Sequence, residues 1–156
     1  MDFKCVKDVS PALTTISVSG YVNEYAKFPR VESASQICVD LNGVTGLNSI
    51  GTRTWLLWVK NGLPDVPISV TNAPSLFVKM FGEVQGTLTS RIRVDSFYVP
   101  YYSEELGERK DVLFEREKHF DDNGQLTFPI VKDTNGNSLE LDALPNFFNF
   151  LKPVDK

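Results

Sequence analysis

The chain is short of the residues on which most catalytic and metal chemistry depends. It has one histidine, His119, and two cysteines among 156 residues. No Ser-His-Asp set can be drawn at a usable spacing from that single imidazole. His119 sits in a charged run with no orienting partner in view, so it is expected to be an exposed surface residue. Both phosphate-cradling glycine patterns, Gly-x-x-x-x-Gly-Lys and Gly-x-Gly-x-x-Gly, are missing. No cofactor is therefore expected. Lysine- or arginine-rich runs are also missing, and the formal charge is -4, which argues against a nucleic-acid partner. No apolar stretch approaches the roughly 20 residues of a membrane span. Residues 1–9 alternate apolar and charged types, without the apolar core of a signal peptide.

What is present is ordinary globular composition, with 42% hydrophobic and 23% charged residues. The length suits one domain, or one small domain with an appendage. Cys5 and Cys38 fall in strand-like runs and read as buried free thiols of a reducing cytoplasm, with a disulfide between them as the alternative.

Phe3 and Cys5, then Leu13, Ile16 and Val18, alternate as two strands, the second ending at Gly20. Residues 21–32 are mixed and broken by Pro29, so they read as a loop. Residues 36–41 form an apolar run fit for a central strand, and Asn42-Gly43 reads as a turn after it. Trp55, Leu56, Val59 and Leu63 recur at helical spacing behind a cap at Asn48-Ser49, with Asn61-Gly62 as the stop. One tryptophan of Trp55 and Trp58 is expected on the sheet and the other in solvent. A strand at 68–71, a helix opened by Pro74 and a strand at 92–94 complete an α/β unit, a mixed sheet covered by helices, over residues 1–99.

Residues 100–156 read as a small β-rich extension. Val112, Phe114, Arg116 and Lys118 suggest a strand. Asp122-Asn123-Gly124 and Asn135-Gly136 are hairpin turns, with Leu126, Phe128 and Ile130 as the return strand of the first. Asp133-x-Asn135-x-Asn137 begins like a calcium loop but has Ser138 where glycine belongs, so an Asx-rich turn is the better reading. Pro145 opens a short aromatic helix whose Phe147, Phe148 and Phe150 require something to pack on.

The stretch Val39-Asp40-Leu41-Asn42-Gly43-Val44-Thr45-Gly46-Leu47-Asn48-Ser49-Ile50-Gly51 resembles the STAS domain, the module of anti-sigma-factor antagonists and sulfate-transporter tails. Its flanks, Gly20-Tyr21-Val22-Asn23 and Ile68-Ser69-Val70-Thr71-Asn72 with Pro74, fit the same pattern, so the resemblance covers about residues 12–99. It implies that the first long helix starts at an Asp-Ser-like motif whose serine, Ser49 here, is a phosphoacceptor for a partner kinase. Asn48 and Asn23 stand where the family has acids, and Ile50 replaces a second hydroxyl residue. A helix N-terminus does favour a phosphate, through free N–H groups and the helix dipole. A plain N-cap at Asn48 or Ser49 is the preferred reading of the chemistry there, with this face still expected as the partner surface.

Two tail segments, residues 102–107 and 131–136, resemble the Cys-x-x-Cys-Gly knuckles of a zinc ribbon. Ser103, Leu106, Lys132 and Asn135 stand at the ligand positions. None of the four supplies a thiolate or imidazole, so the resemblance implies a ribbon without metal.

The expectation is a non-enzymatic protein-interaction module in bacterial signalling or assembly. The resemblance implies a surface of Asn23, Thr45, Asn48, Ser49, Ile50 and Gly51, facing a protein partner such as a kinase or anti-sigma-like regulator. A phosphorylation-controlled switch at Ser49 is the alternative, and a small-molecule or nucleotide sensor is the third. Self-association through a hairpin edge of the tail is a further option.

Overall fold

The computed structural model describes residues 2–151. The chain runs β1 (Lys4–Val9), β2 (Thr14–Val22), β3 (Ile37–Leu47), α1 (Ser49–Leu57) with a π turn (Trp58–Gly62), β4 (Ile68–Thr71) and α2 (Ser75–Glu83). It continues through β5 (Ile92–Val94), β6 (Ser96–Ser103), β7 (Glu108–Glu115), β8 (Glu140–Leu141) and a 3-10 turn (Pro145–Leu151). The fold is mixed α/β. A five-stranded sheet has the order β1-β2-β3-β4-β5, with β1 antiparallel to β2 and the rest parallel. A separate antiparallel sheet has the order β7-β6-β8. The domain boundary expected at residue 99 falls inside β6, which is continuous from Ser96 to Ser103.

Strand alternation decides which face of the large sheet is covered. Ile16, Val18, Ile37, Val39, Leu41, Ile68, Val70, Ile92 and Val94 point inward and are buried. Thr15, Ser17, Cys38, Asp40, Ser69 and Arg93 point the other way and stay at least partly exposed. Parallel strands covered on both faces would be apolar throughout. Here one face takes the helices and the other is small and polar.

Both tryptophans are buried, contrary to the expectation of one in solvent. Trp55 Nε1 donates to Thr87 O at 3.1 Å and Trp58 Nε1 to Pro29 O at 2.7 Å, so each polar handle is satisfied. With Trp58 packed against it, Trp55 belongs to an unbroken aromatic series. It runs Phe3, Phe28, Trp55, Phe77, Phe81, Phe150, Phe97, Phe114, Phe148 and Phe128, each ring centroid within 6.4 Å of the next. The aromatics of the 3-10 turn thus pack between α2 and β6, and the two sheets share one core.

Four local readings change. Asn42-Gly43 makes no turn, because β3 continues to Leu47. A bulge there shifts the register against β2, and a Cβ on Gly43 would lie 2.5 Å from Ser19 Cβ. That glycine serves close strand approach. Residues 126–130 form no return strand, only a bridge between Phe120 and Leu126. Pro129 removes a ladder donor, and Ile130 is 81% exposed. Next, β7 stops at Glu115 rather than running on to Lys118, since Glu117 takes a positive φ of 71°. Finally, His119 is half-buried, stacked on Phe114, and its Nδ1 accepts the Glu115 N–H at 2.9 Å. The cysteines are free and half-buried on β1 and β3, with β2 between them. Burial pushes the Cys5 thiol up to about 11. It raises Cys38 too, against the opposing Thr71 hydroxyl.

The junction between the sheets is polar and charged. Asp95, between β5 and β6, accepts from Ser69 Oγ at 2.6 Å, Arg93 Nε at 2.8 Å and Arg116 Nε at 3.0 Å. Arg116 also donates to Asp122 Oδ1 at 2.6 Å and Val94 O at 2.7 Å, and lies over the Phe120 ring. Its side chain is 13% exposed. Burial alone would raise the Asp95 carboxyl, but bonds from Ser69, Arg93 and Arg116 together hold it below the usual range.

Arg116→Met keeps the apolar stem and removes the charge, and is expected to cost about 2 kcal/mol in urea unfolding. The double-mutant cycle with Asp95→Asn should give a coupling of about 1–2 kcal/mol, and a coupling near zero would remove this pair as the tie.

Burial, and then the Lys118 charge, hold the His119 imidazole below its ordinary value, despite Glu115. The folded state therefore binds its proton less well than the unfolded chain. The contribution is full above the ordinary value of about 6.5 and is lost as pH falls toward the lower folded value. With a single histidine, an NMR titration reads this without ambiguity, and a midpoint at or above the ordinary value would contradict it.

Candidate functional site

All but Thr45 of the sequence-selected residues lie where β2 ends and α1 begins. Asn48 is the N-cap of α1, in extended backbone conformation (φ -117°), and its Oδ1 accepts the Gly51 N–H at 2.8 Å. The Asn48 backbone N–H donates to Val22 O at 3.2 Å, which fastens the cap to the end of β2. The other end of the same amide, Nδ2, donates to Glu24 Oε2 at 3.1 Å. One side chain thus closes the helix and holds a carboxylate beside it. The Glu24 carboxyl is held below the usual range, first by its own backbone N–H and then by the Asn48 amide.

Cap and first helical residue are now separated. Asn48 caps, and Ser49, the next residue, is exposed on the first turn. Among the described residues Ser49 Oγ has no hydrogen-bond partner. Ile50 beside it is 52% exposed. Gly51 is buried, and a Cβ there would come within 2.0 Å of Val22 O. Its part is to let the helix approach β2, so its side of the turn is closed to a partner.

The remaining residues split. Asn23 is half-buried and turns inward on its own loop, with Oδ1 accepting the Tyr25 N–H at 3.0 Å. Thr45 belongs to β3 instead of a loop, so the expected loop of residues 45–51 contracts to Asn48 alone. Thr45 is exposed and lines a groove with Leu76 and Tyr98, away from the cap. Asp40, at the start of the motif, accepts from the Asn42 N–H and Asn72 Nδ2, both at 3.0 Å, tying β3 to the turn after β4.

Sequence reasoning named Ile50 but missed two further exposed apolar residues, Tyr25 at 76% and Leu57 at 47%. Ile50, Thr54 and Leu57 share one face of α1 by their spacing. That spacing was available, but the tryptophans on the opposite face dominated the pattern.

In the tail, the two knuckle-like segments do meet. Ser103 Oγ donates to Asp133 Oδ2 at 3.1 Å, Thr134 Oγ1 to Glu108 at 2.9 Å and Asn137 Nδ2 to Glu105 at 3.0 Å. Asp133, rather than Lys132 or Asn135, carries the contact. Its Oδ1 accepts from the N–H groups of Asn135 and Asn137, both at 2.9 Å, which is the Asx turn expected there. Among the described residues no group of three His, Cys, Asp or Glu could hold a metal ion.

A groove of about 360 Å³ lies between α2 and the tail. Its charged lining, Lys79, Glu83, Arg109 and Asp142, balances two cations against two anions and selects no ligand charge. No helix among the described residues is long and apolar enough to cross a membrane. Comparison with models of protein families, with curated proteins and with solved structures finds no match.

Asn48→Ala should cost about 1 kcal/mol in urea unfolding, and Asn48→Ser should recover most of it. Gly51→Ala should cost more, about 3 kcal/mol, because the clash is with backbone. Equal effects of the two alanine substitutions would contradict the close-approach reading.

Proposed function

We propose that this chain is a STAS-like, non-enzymatic interaction module that docks a protein partner on the exposed face of α1, beginning at its N-terminus. The observation that carries the reading is the exposed pair Ser49 and Ile50, at the capped start of a helix, continued by Leu57 along one face. An exposed apolar stripe with a polar start is a common form of partner surface. The order of elements supports the reading: an antiparallel β1–β2 pair, then parallel strands with α1 and α2 between them. Asn23 and Asn48 shape this surface from behind, while Ser49 and Ile50 face the partner.

A second reading, a phosphorylation-controlled switch, rests on the free Ser49 hydroxyl. A phosphate there would add close to two negative charges beside Glu24. The helix end would tolerate it, and an apolar partner surface would not.

The test is capture of partners from native-cell extract on wild type, Ile50→Asp, Ser49→Asp and Ser49→Ala. A partner held by wild type and Ser49→Ala should be lost, by about tenfold or more, with Ile50→Asp. Loss with Ser49→Asp as well would support the switch. Equal capture by Ile50→Asp would move the interface off α1.

A further inference from the structure

The outer edge of β1 has no strand beside it among the described residues. Lys4, Val6 and Asp8 stand opposite Ser19, Ser17 and Thr15, which puts all three on the open polar face of the sheet. Val6 is 50% exposed. Neither Lys4 nor Asp8 has an ion-pair partner among the described residues. Charged residues such as Lys4 and Lys7 usually guard an edge strand against pairing. Among two-fold axes placed within β1, one alone sets opposite charges face to face.

Antiparallel strands pair residues that share a face, so two copies related by a two-fold axis can join β1 to β1 in few ways. An axis at Lys4 or Lys7 sets lysine against lysine. An axis at Cys5 sets Asp2 against Asp8. An axis at Val6 sets Lys4 of each copy against Asp8 of the other, with valine meeting valine between them. We propose that β1 forms a homodimer in this register, joining the five-stranded sheets of two copies edge to edge. The partner is a second copy of this chain, recognised by backbone pairing and by the two Lys4–Asp8 contacts. The surface is separate from α1 and independent of the function proposed above.

The test is sedimentation equilibrium of the full chain from micromolar to submillimolar concentration, with thermal melts confirming that each variant folds. Wild type should self-associate. Lys4→Asp sets aspartate against Asp8 twice and should weaken the dimer roughly tenfold or more. Lys4→Asp combined with Asp8→Lys restores opposite charges in this register and should recover the wild-type constant. Val6→Lys should leave a monomer. A wild type that stays monomeric throughout overturns the proposal. So does a dimer indifferent to Lys4→Asp, or a double variant no tighter than the single.

Discussion

The Asp95 carboxylate is the point at which the two sheets become one structure. It collects a hydroxyl from β4, a guanidinium from β5 and a second guanidinium from the segment after β7. A carboxylate that is two-thirds withdrawn from water keeps its charge only with such partners. Arg116 is constrained in the same way, since its fork must reach Asp95, Asp122 and Val94 O together. That geometry holds β7 at the end of β5. Phe97, one residue beyond Ser96, can then receive Phe114, Phe120 and Phe150. The apolar contacts supply most of the stabilisation, and the ion pair selects the arrangement in which they form.

The same separation of roles is seen at the start of α1. Burial of Trp55 holds the helix to the sheet, but it does not say where the helix begins. Gly51 does, because only a residue without Cβ lets the first turn rest on the Val22 carbonyl. With the approach fixed, Asn48 falls where its amide can cap, and Ser49 and Ile50 are turned outward.

Most of the α/β unit was legible in sequence. Alternation in β2, the start of β3, the Asn48 cap and the helix stop at Asn61-Gly62 are local signals, and each was read at nearly its observed place, whereas β3 was ended six residues short of Leu47. The failures share a cause: the deciding interaction was distant in sequence. Gly43 resembled a turn glycine until Ser19 was seen against it. Phe128 and Ile130 alternated like a strand, yet Pro129 and the lack of a neighbour left them unpaired. Arg116 looked like one charge in a charged run, because its partner Asp95 is 21 residues away. The cap could be read from spacing, but the exposed stripe of Ile50 and Leu57 could not be separated from the buried tryptophan face without knowing which side met the sheet.

Asparagine rather than aspartate at residue 48 follows from its second contact. An aspartate would cap equally well through one oxygen. Its other oxygen would then face the Glu24 carboxylate, and neither could donate. Asparagine has a donor at that end, and its bond adds to that of Glu24's own backbone N–H in favouring the ionised carboxylate beside the helix start. An acid thus stands beside the cap without being the cap residue, on the loop after β2 and held by the cap itself.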